Sequence, residues 1–411
     1  MITEYFSKHI KHGTLILTLQ NGKTFHFGKE KPVAHWRMLK KGVVQRVILD
    51  PEMELGQTYM DGGWDTGDGD LQTLMEVLMR NFPEKVPTGT KRLVQWLIQP
   101  LQQLNRINRS KKNVEHHYNM DESLYRMFLD EDMQYSCAYY RSNDLTLEQA
   151  QRAKCQHIMN KLELRPGQRV LDIGCGWGGL ALYLAENAGV KVTGITLSSE
   201  QLRVARQRAH ERGLGDRVSF HLEDYRQHKG EYDAIVSVGM FEHVGQPNYK
   251  TFFKCVKNLL SDSGVALLHT IGRFSPPGAM NPWIRKYIFP GGYIPAASEL
   301  LGAIEKNLVV TTDLEVLRIH YARTLTEWIK RFQAKRKEIT RQMDERFYRM
   351  WEFYLHSCEG AFRWRDLVVF QVQLAKNMET VPITRDHLYL ADKTPASVSL
   401  DKASSGASAA A

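Results

Sequence analysis

Within eight residues the sequence sets one carboxylate and four glycines: Asp172, Gly174, Gly176, Gly178 and Gly179. Glycine carries no Cβ, so backbone at these positions can approach a ligand closely. Asp172, two residues ahead of the first glycine, is placed to brace the glycine loop or to meet an ammonium. The same spacing also suits a tight strand-to-helix turn that binds nothing, so other polar groups must decide between the two. One such stretch is Tyr135-Ser136-Cys137-Ala138-Tyr139-Tyr140, with two hydroxyl types, a thiol and no regular period. As structure it reads as a buried turn; as chemistry it offers a hydroxyl and backbone amides to a polar ligand. Glu242 and His269 are two further polar residues, at the ends of two expected strands. Their bland readings are a helix cap for Glu242 and a satisfied core position for His269.

The elements around these residues alternate. Val170, Leu171 and Ile173 make a short apolar run before the glycines, and a helical apolar pattern follows over residues 180–188. Further strands are expected at 191–196, 218–222, 232–238 and 265–271, with a helix at 145–162 leading into the first strand and helices such as 200–212 and 249–260 between the strands. Such alternation implies parallel strands with right-handed crossovers. Ligands bind beyond the carboxyl ends of the strands in these sheets. Residues 174–178, 196–199, 223–224, 239–243 and 269–272 should therefore face one crevice.

Residues 1–82 read as a small α+β domain. Asn21-Gly22 between residues 14–19 and 24–27 signals a hairpin whose two turn residues take positive φ. Residues 43–49 read as a further strand, and Asp70 caps a helix over residues 71–81. The domain is read as a packing or dimerisation module, so a homodimer through it is one expectation. Residues 83–113 hold a linker followed by an amphipathic helix with a basic end, which suits either an anionic membrane or a position between domains. Residues 114–393 read as the second domain, the candidate catalytic one. Within it, residues 300–380 read as mostly helical after a short strand near Val309. Its aromatic set, Trp328, Phe332, Phe347, Trp351, Tyr354 and Phe362, suits core or the wall of an acyl-chain pocket. Residues 394–411 are small and polar and are expected to be disordered.

The 55 Lys and Arg against 46 Asp and Glu leave a net charge of +9 among 411 residues, which suits an anionic surface. Neither zinc-finger spacing nor an RNA-binding signature is present, so a phospholipid surface is favoured over nucleic acid. Five scattered cysteines without a C-x-x-C pair point to a reducing compartment and give no metal site. No apolar run approaches the length of a bilayer span and no signal-peptide pattern opens the sequence. The expected location is cytoplasmic, peripheral to the inner leaflet of the membrane.

The D-x-G-x-G-x-G form resembles the S-adenosylmethionine site of Rossmann-like methyltransferases. Seven ordered motifs, at residues 135–139, 171–179, 194–198, 239–245, 268–271, 289–292 and 320–325, resemble the cyclopropane-fatty-acyl-phospholipid synthase family. That resemblance implies an α/β fold: a Rossmann-like class I methyltransferase sheet with added helices, preceded by the small α+β domain. It implies a methylene transfer from S-adenosylmethionine to a cis double bond of a phospholipid acyl chain. The cofactor contacts it implies are Tyr135, Ser136, Gly174, Gly176, Thr196, Leu197, Gln201, Leu222 and Glu223, beside the Asp172 carboxylate already singled out. It further implies a bicarbonate held by Cys137 and Ile271 through their backbones and by Glu242, His269 and Tyr321. Two departures stand out: strand two ends in Thr196-Leu197 rather than an acidic residue, and residues 117–121 read His117-Tyr118-Asn119-Met120-Asp121. The nearest rival activity is a fatty-acyl C-methyltransferase, which adds a methyl or methylene branch without closing a ring. A small-molecule methyltransferase and a lipid-binding protein with a vestigial cofactor site are more distant.

Overall fold

The computed structural model describes residues 2–82, 103, 105, 122–307 and 309–390. The expected amphipathic helix, the His117 to Asp121 stretch and the polar tail lie outside the described residues. The N-terminal module runs α1 (Ile2–His9), β1 (Thr14–Thr18), β2 (Thr24–Gly28), β3 (Val33–Met38), α2 (Val43–Leu49), α3 (Pro51–Met60), β4 (Trp64–Asp65) and α4 (Leu71–Asn81). Its sheet has the order β2-β1-β3-β4. In the β1–β2 hairpin Gly22 takes φ 81° and Asn21 does not turn positive, which corrects the expected pair of left-handed residues. The loop closes instead through Leu19 N–H to the Lys23 carbonyl and Gly22 N–H to the Leu19 carbonyl, both 2.9 Å. Residues 43–49 are also corrected, from strand to helix. Val43, Val44 and Val47 are buried at helical spacing, and that tertiary face overrides their β-propensity. Asp70 caps α4 as expected, accepting from Thr73 N–H at 2.8 Å.

The larger part opens with α5 (Glu122–Phe128) and α6 (Leu147–Lys161), the latter capped by Thr146 and Gln149 reciprocally. It continues β5 (Arg169–Ile173), α7 (Gly179–Ala188), β6 (Lys191–Thr196), α8 (Ser199–Glu211), β7 (Val218–Leu222), β8 (Tyr232–Val238), α9 (Tyr249–Leu259) and β9 (Leu260–Arg273). After α10 (Pro282–Tyr287) and α11 (Ala297–Glu305) come β10 (Val310–Leu317), α12 (His320–Ala334), α13 (Arg336–Gln342), α14 (Glu345–Trp364), β11 (Leu367–Ala375) and α15 (His387–Leu390). The seven strands are ordered β10-β11-β9-β8-β5-β6-β7. The five expected strands are parallel. β11 lies antiparallel to both β9 and β10, which corrects the helical reading of residues 367–375.

The two parts share one core. Trp36, Trp64, Met60 and Leu74 cluster with Trp283, Trp328, Trp351 and Phe353. An added Cβ on Gly56 would meet the Trp283 and Phe353 rings at 2.6 and 2.7 Å, so α3 lies directly on those side chains. Tyr59 donates its hydroxyl to Glu352 at 2.6 Å, and Arg349 donates to the carbonyls of Tyr59 and Trp64 at 2.6 Å each. Of the aromatic set, Trp328, Phe332 and Trp351 are fully enclosed within this core.

Candidate active site

The glycine loop follows β5. Gly174 and Gly178 both take φ 82°, and a Cβ on Gly174 would stand 2.7 Å from the Met240 side chain. The amides of Gly174 and Cys175 both donate to the Ile195 carbonyl, at 2.9 and 3.0 Å, which folds the loop back over β6. Beyond β6, Ser198 caps α8 by accepting from Gln201 N–H at 3.2 Å. The Thr196 hydroxyl donates to Gln201 Oε1 at 3.0 Å, so the two side chains fix each other.

These loops and the segment Met133–Ser136 line an open cleft whose empty space, solvent at its mouth included, is about 1120 Å³. Asp130 shapes that segment, accepting from Gln134 N–H at 2.9 Å and Asp132 N–H at 3.0 Å. Arg208 clamps it to the glycine loop: its guanidinium donates to the Trp177 carbonyl at 2.9 Å, the Asp132 carbonyl at 3.1 Å and the Asp132 carboxylate at 2.9 Å. At the opposite end, Asp224 pairs with Arg226 at 2.6 Å, and Glu223 pairs with His228 at 2.8 Å. Asp172 lines the cleft while only 2 % exposed, and its Oδ2 has no hydrogen-bond partner. Burial pushes its carboxyl up to about 7. His243 also lines the cleft, and burial holds it neutral, down to about 4.

Of the expected cofactor contacts, Tyr135, Ser136, Asp172, Gly174, Gly176, Thr196, Leu197, Gln201 and Glu223 line this cleft. Leu222 does not: it ends β7 with its side chain 43 % exposed, outside the lining. Gln134, Trp177 and Arg226 line the cleft without having been expected as contacts. Gln134 adjoins one sequence motif and Trp177 lies inside another; Arg226 had no local signal.

The second set stands outside the cleft's lining. Glu242 sits in a short 3-10 turn, Phe241–His243, and caps no helix. Its Oε1 accepts from Ile271 N–H at 2.6 Å, and its buried Oε2 has no hydrogen-bond partner. The Ile271 amide, expected to face an anion, is thus engaged by Glu242. Burial pushes Glu242 up to about 7, so it is poised between neutral acid and carboxylate. His269 is buried on β9, its Nδ1 3.1 Å from Gln371 Nε2, and burial holds it well below the usual imidazole range. Gly239 N–H donates to the His269 carbonyl at 2.9 Å, tying the loop that carries Glu242 to β9. Cys137 is fully enclosed, and the next amide, Ala138 N–H, donates to the Thr324 hydroxyl at 3.0 Å. Thr324 lies one turn along α12 from Tyr321, whose ring packs on Phe362 at 4.6 Å and Trp328 at 5.9 Å. Tyr135 stacks on the same Trp328 at 5.2 Å, so an aromatic wall runs from the cleft to Tyr321.

Residues 105–372 match the mycolic acid cyclopropane synthetase family. The sequence is 41 % identical over 335 residues to the cyclopropane-fatty-acyl-phospholipid synthase of Escherichia coli strain K12, covering 82 % of this chain and 86 % of that protein. A probable fatty acid methyltransferase of Pseudomonas putida is 34 % identical over 92 % of this chain and 97 % of its own length. Among solved structures, a cyclopropane synthase from Mycobacterium tuberculosis superposes with TM-score 0.62 at 33 % identity, over 65 % of this chain and 98 % of that one. A mycolic acid cyclopropane synthase complexed with SAH and CTAB gives TM-score 0.61 at 34 % identity, over 64 % of this chain and 97 % of that one. The strand order, the glycine cleft and these likenesses agree: the protein is an enzyme of the mycolic acid cyclopropane synthetase family, built on the class I S-adenosylmethionine-dependent methyltransferase fold.

Proposed function

We propose that this enzyme transfers a methylene from S-adenosylmethionine to a cis double bond of a phospholipid acyl chain, giving a cyclopropane fatty acyl group. The observation that carries the reading is the buried Glu242, with one oxygen on Ile271 N–H and the other unpartnered, on the loop that Gly239 ties to His269. Ring closure needs a buried acceptor path for the proton that the new methyl gives up, and a methylene branch needs one too, so the identity of the product decides between them. The E. coli relative's name supports the same reading.

The cleft fits the donor. A Cβ would fill the cradle at Gly174, and the unpartnered Asp172 Oδ2 suits an ammonium. Bound S-adenosylmethionine supplies an electrophilic methyl on a sulfonium. An alkene is a weak nucleophile, so the protein must hold it in line, an effect that can supply roughly 7–11 kcal/mol. Addition of the methyl leaves a carbocation on the lipid. Water would convert it to an alcohol, so the site must be dry; Trp328, Phe362 and Tyr321, packed on one another beside the cleft, would supply aromatic faces to the charge. Loss of a proton from the new methyl lets the carbon pair close the ring.

Bicarbonate fits beside Glu242, where an unpartnered buried carboxyl oxygen and a neutral His269 can meet an anion without adding charge. Glu242, His269 and Tyr321, with the Cys137 amide, would hold it, the Ile271 amide being taken by Glu242, and when bound it would supply the base. Glu242 and His269 fix orientation and protonation there. The substrate is reached at the membrane surface; no described helix is long and apolar enough to cross a bilayer. The Pseudomonas relative favours a second reading, a fatty-acyl C-methyltransferase. Incubation with S-adenosylmethionine and vesicles of cis-monounsaturated phospholipid, followed by mass spectrometry of the fatty acids, tests the two. The proposal predicts a gain of one CH₂ and a product that resists mild hydrogenation of alkenes. A branched or still reducible product would favour the second reading, and no lipid product would defeat both.

A further inference from the structure

α6 presents Gln151 and Lys154, three residues apart, to the back of the cleft wall. Lys154 is 0 % exposed. Its ammonium donates to Gln134 Oε1 at 2.5 Å and to Ser136 Oγ at 2.9 Å, and both acceptors line the cleft. Gln151 Nε2 donates to the backbone carbonyls of the same two residues, at 3.2 and 3.0 Å. Gln151 therefore already secures the backbone of the wall, and Lys154 acts on its side chains. Burial draws Lys154 below the usual lysine range, and the nearby Asp130 and Asp132 oppose that.

An ammonium has three donors and no acceptor. Ser136 Oγ, accepting from it, is left with its own proton to give elsewhere. Gln134 Oε1, accepting from it, turns the amide so that Nε2 lies toward Gly179, where an added Cβ would meet that nitrogen at 2.7 Å. Gly179 itself lines the cleft. A neutral amide or hydroxyl in place of Lys154 would allow either polarity; the lysine allows one. The unpartnered Asp172 Oδ2, also in the lining and within electrostatic reach of Lys154, is an acceptor. The lining then holds donors at Ser136 and Gln134 and an acceptor at Asp172, which is the pattern a zwitterionic amino acid needs.

The geometry points to Lys154 as a positioning residue that sets the hydrogen-bond polarity of the cofactor cleft, so that Ser136 and Gln134 present donors to the carboxylate at the amino-acid end of the ligand. This rests on the reading that S-adenosylmethionine occupies this cleft. The recognition is electrostatic and local, so it discriminates ligands that carry the amino-acid end from those that do not.

The test compares S-adenosylhomocysteine with 5′-methylthioadenosine, which keeps the nucleoside and lacks the amino-acid end, by calorimetry on the full-length protein. Lys154→Met should weaken S-adenosylhomocysteine about 10- to 100-fold, the size of one charge-assisted hydrogen bond, and leave 5′-methylthioadenosine unchanged. Equal losses for both ligands, or no loss for either, would overturn the proposal. Should Lys154→Met fail to fold, Ser136→Ala carries the same test: with Lys154 in place its loss must again be selective for S-adenosylhomocysteine, and an unselective loss or none overturns the assignment. Failure of the unsubstituted protein to bind either ligand would instead defeat the reading of the cleft itself.

Discussion

Glu242→Gln isolates the proton chemistry from the architecture. The glutamine Oε1 can keep the 2.6 Å bond from Ile271 N–H, and Nε2 replaces the unpartnered Oε2 at nearly the same volume. Packing and the cofactor cleft, which Glu242 does not line, are preserved. What is lost is a carboxyl that burial holds at about 7 and that can exchange a proton near neutrality. Positioned acid–base groups contribute typically 10²- to 10⁴-fold. We expect turnover to fall about 10²- to 10³-fold, roughly 3–4 kcal/mol of barrier, with S-adenosylhomocysteine affinity unchanged. Stability adds an independent check. The folded-state value lies above the ordinary glutamate value of 4.5, so the folded protein holds the extra proton and wild-type stability declines as pH rises from 4.5 through about 7. The substitution removes that dependence, so Glu242→Gln should gain on wild type by about 3 kcal/mol across this window. Denaturant titrations at pH 5 and pH 8 and a labelled-methyl vesicle assay measure the two effects. Turnover within threefold of wild type would refute the catalytic assignment, and a pH-independent stability difference would refute the buried, near-neutral carboxyl.

Gly174→Ala combines φ 82° with a Cβ 2.7 Å from Met240, so S-adenosylhomocysteine binding should weaken at least tenfold; calorimetry showing unchanged affinity would argue against a backbone cradle. Tyr59→Phe leaves Glu352 short of its 2.6 Å donor and should cost about 1–3 kcal/mol in unfolding, read by denaturant titration, whereas an unshifted midpoint would mean the N-terminal module is not held there. Leu222→Ala, at a side chain outside the cleft's lining, should leave cofactor affinity as it is; a large loss would put Leu222 back among the contacts.

Much of the sheet was legible because its parallel strands are short stretches rich in β-formers, closed by turn signals. β6, β7 and β8 fall on the expected residues. β11 was not legible: it is buried along almost its whole length, so no in–out alternation marks it, and Gln371 and Gln373 break the apolar run from within. Val43–Leu49 misled in the other direction, since valine propensity pointed to a strand while burial selects a helical face. At the site, glycines and the Asp172 carboxylate could be read from spacing. Lys154 could not, because a lysine on a helix reads as a solvated position until the fold encloses it. Arg208 is the same case: its carbonyl and carboxylate partners come from the Asp132 segment and the glycine loop, far away in sequence.

The central claim is that the carbocation formed on the lipid ends by losing a proton to close a ring. Feeding the enzyme S-adenosylmethionine with a trideuterated methyl, together with cis-monounsaturated phospholipid vesicles, counts that proton directly. The account predicts a product whose added carbon keeps two of its three deuterons, in a saturated three-membered ring. Retention of all three deuterons in a methyl branch, or two in a product that still hydrogenates as an alkene, would contradict it.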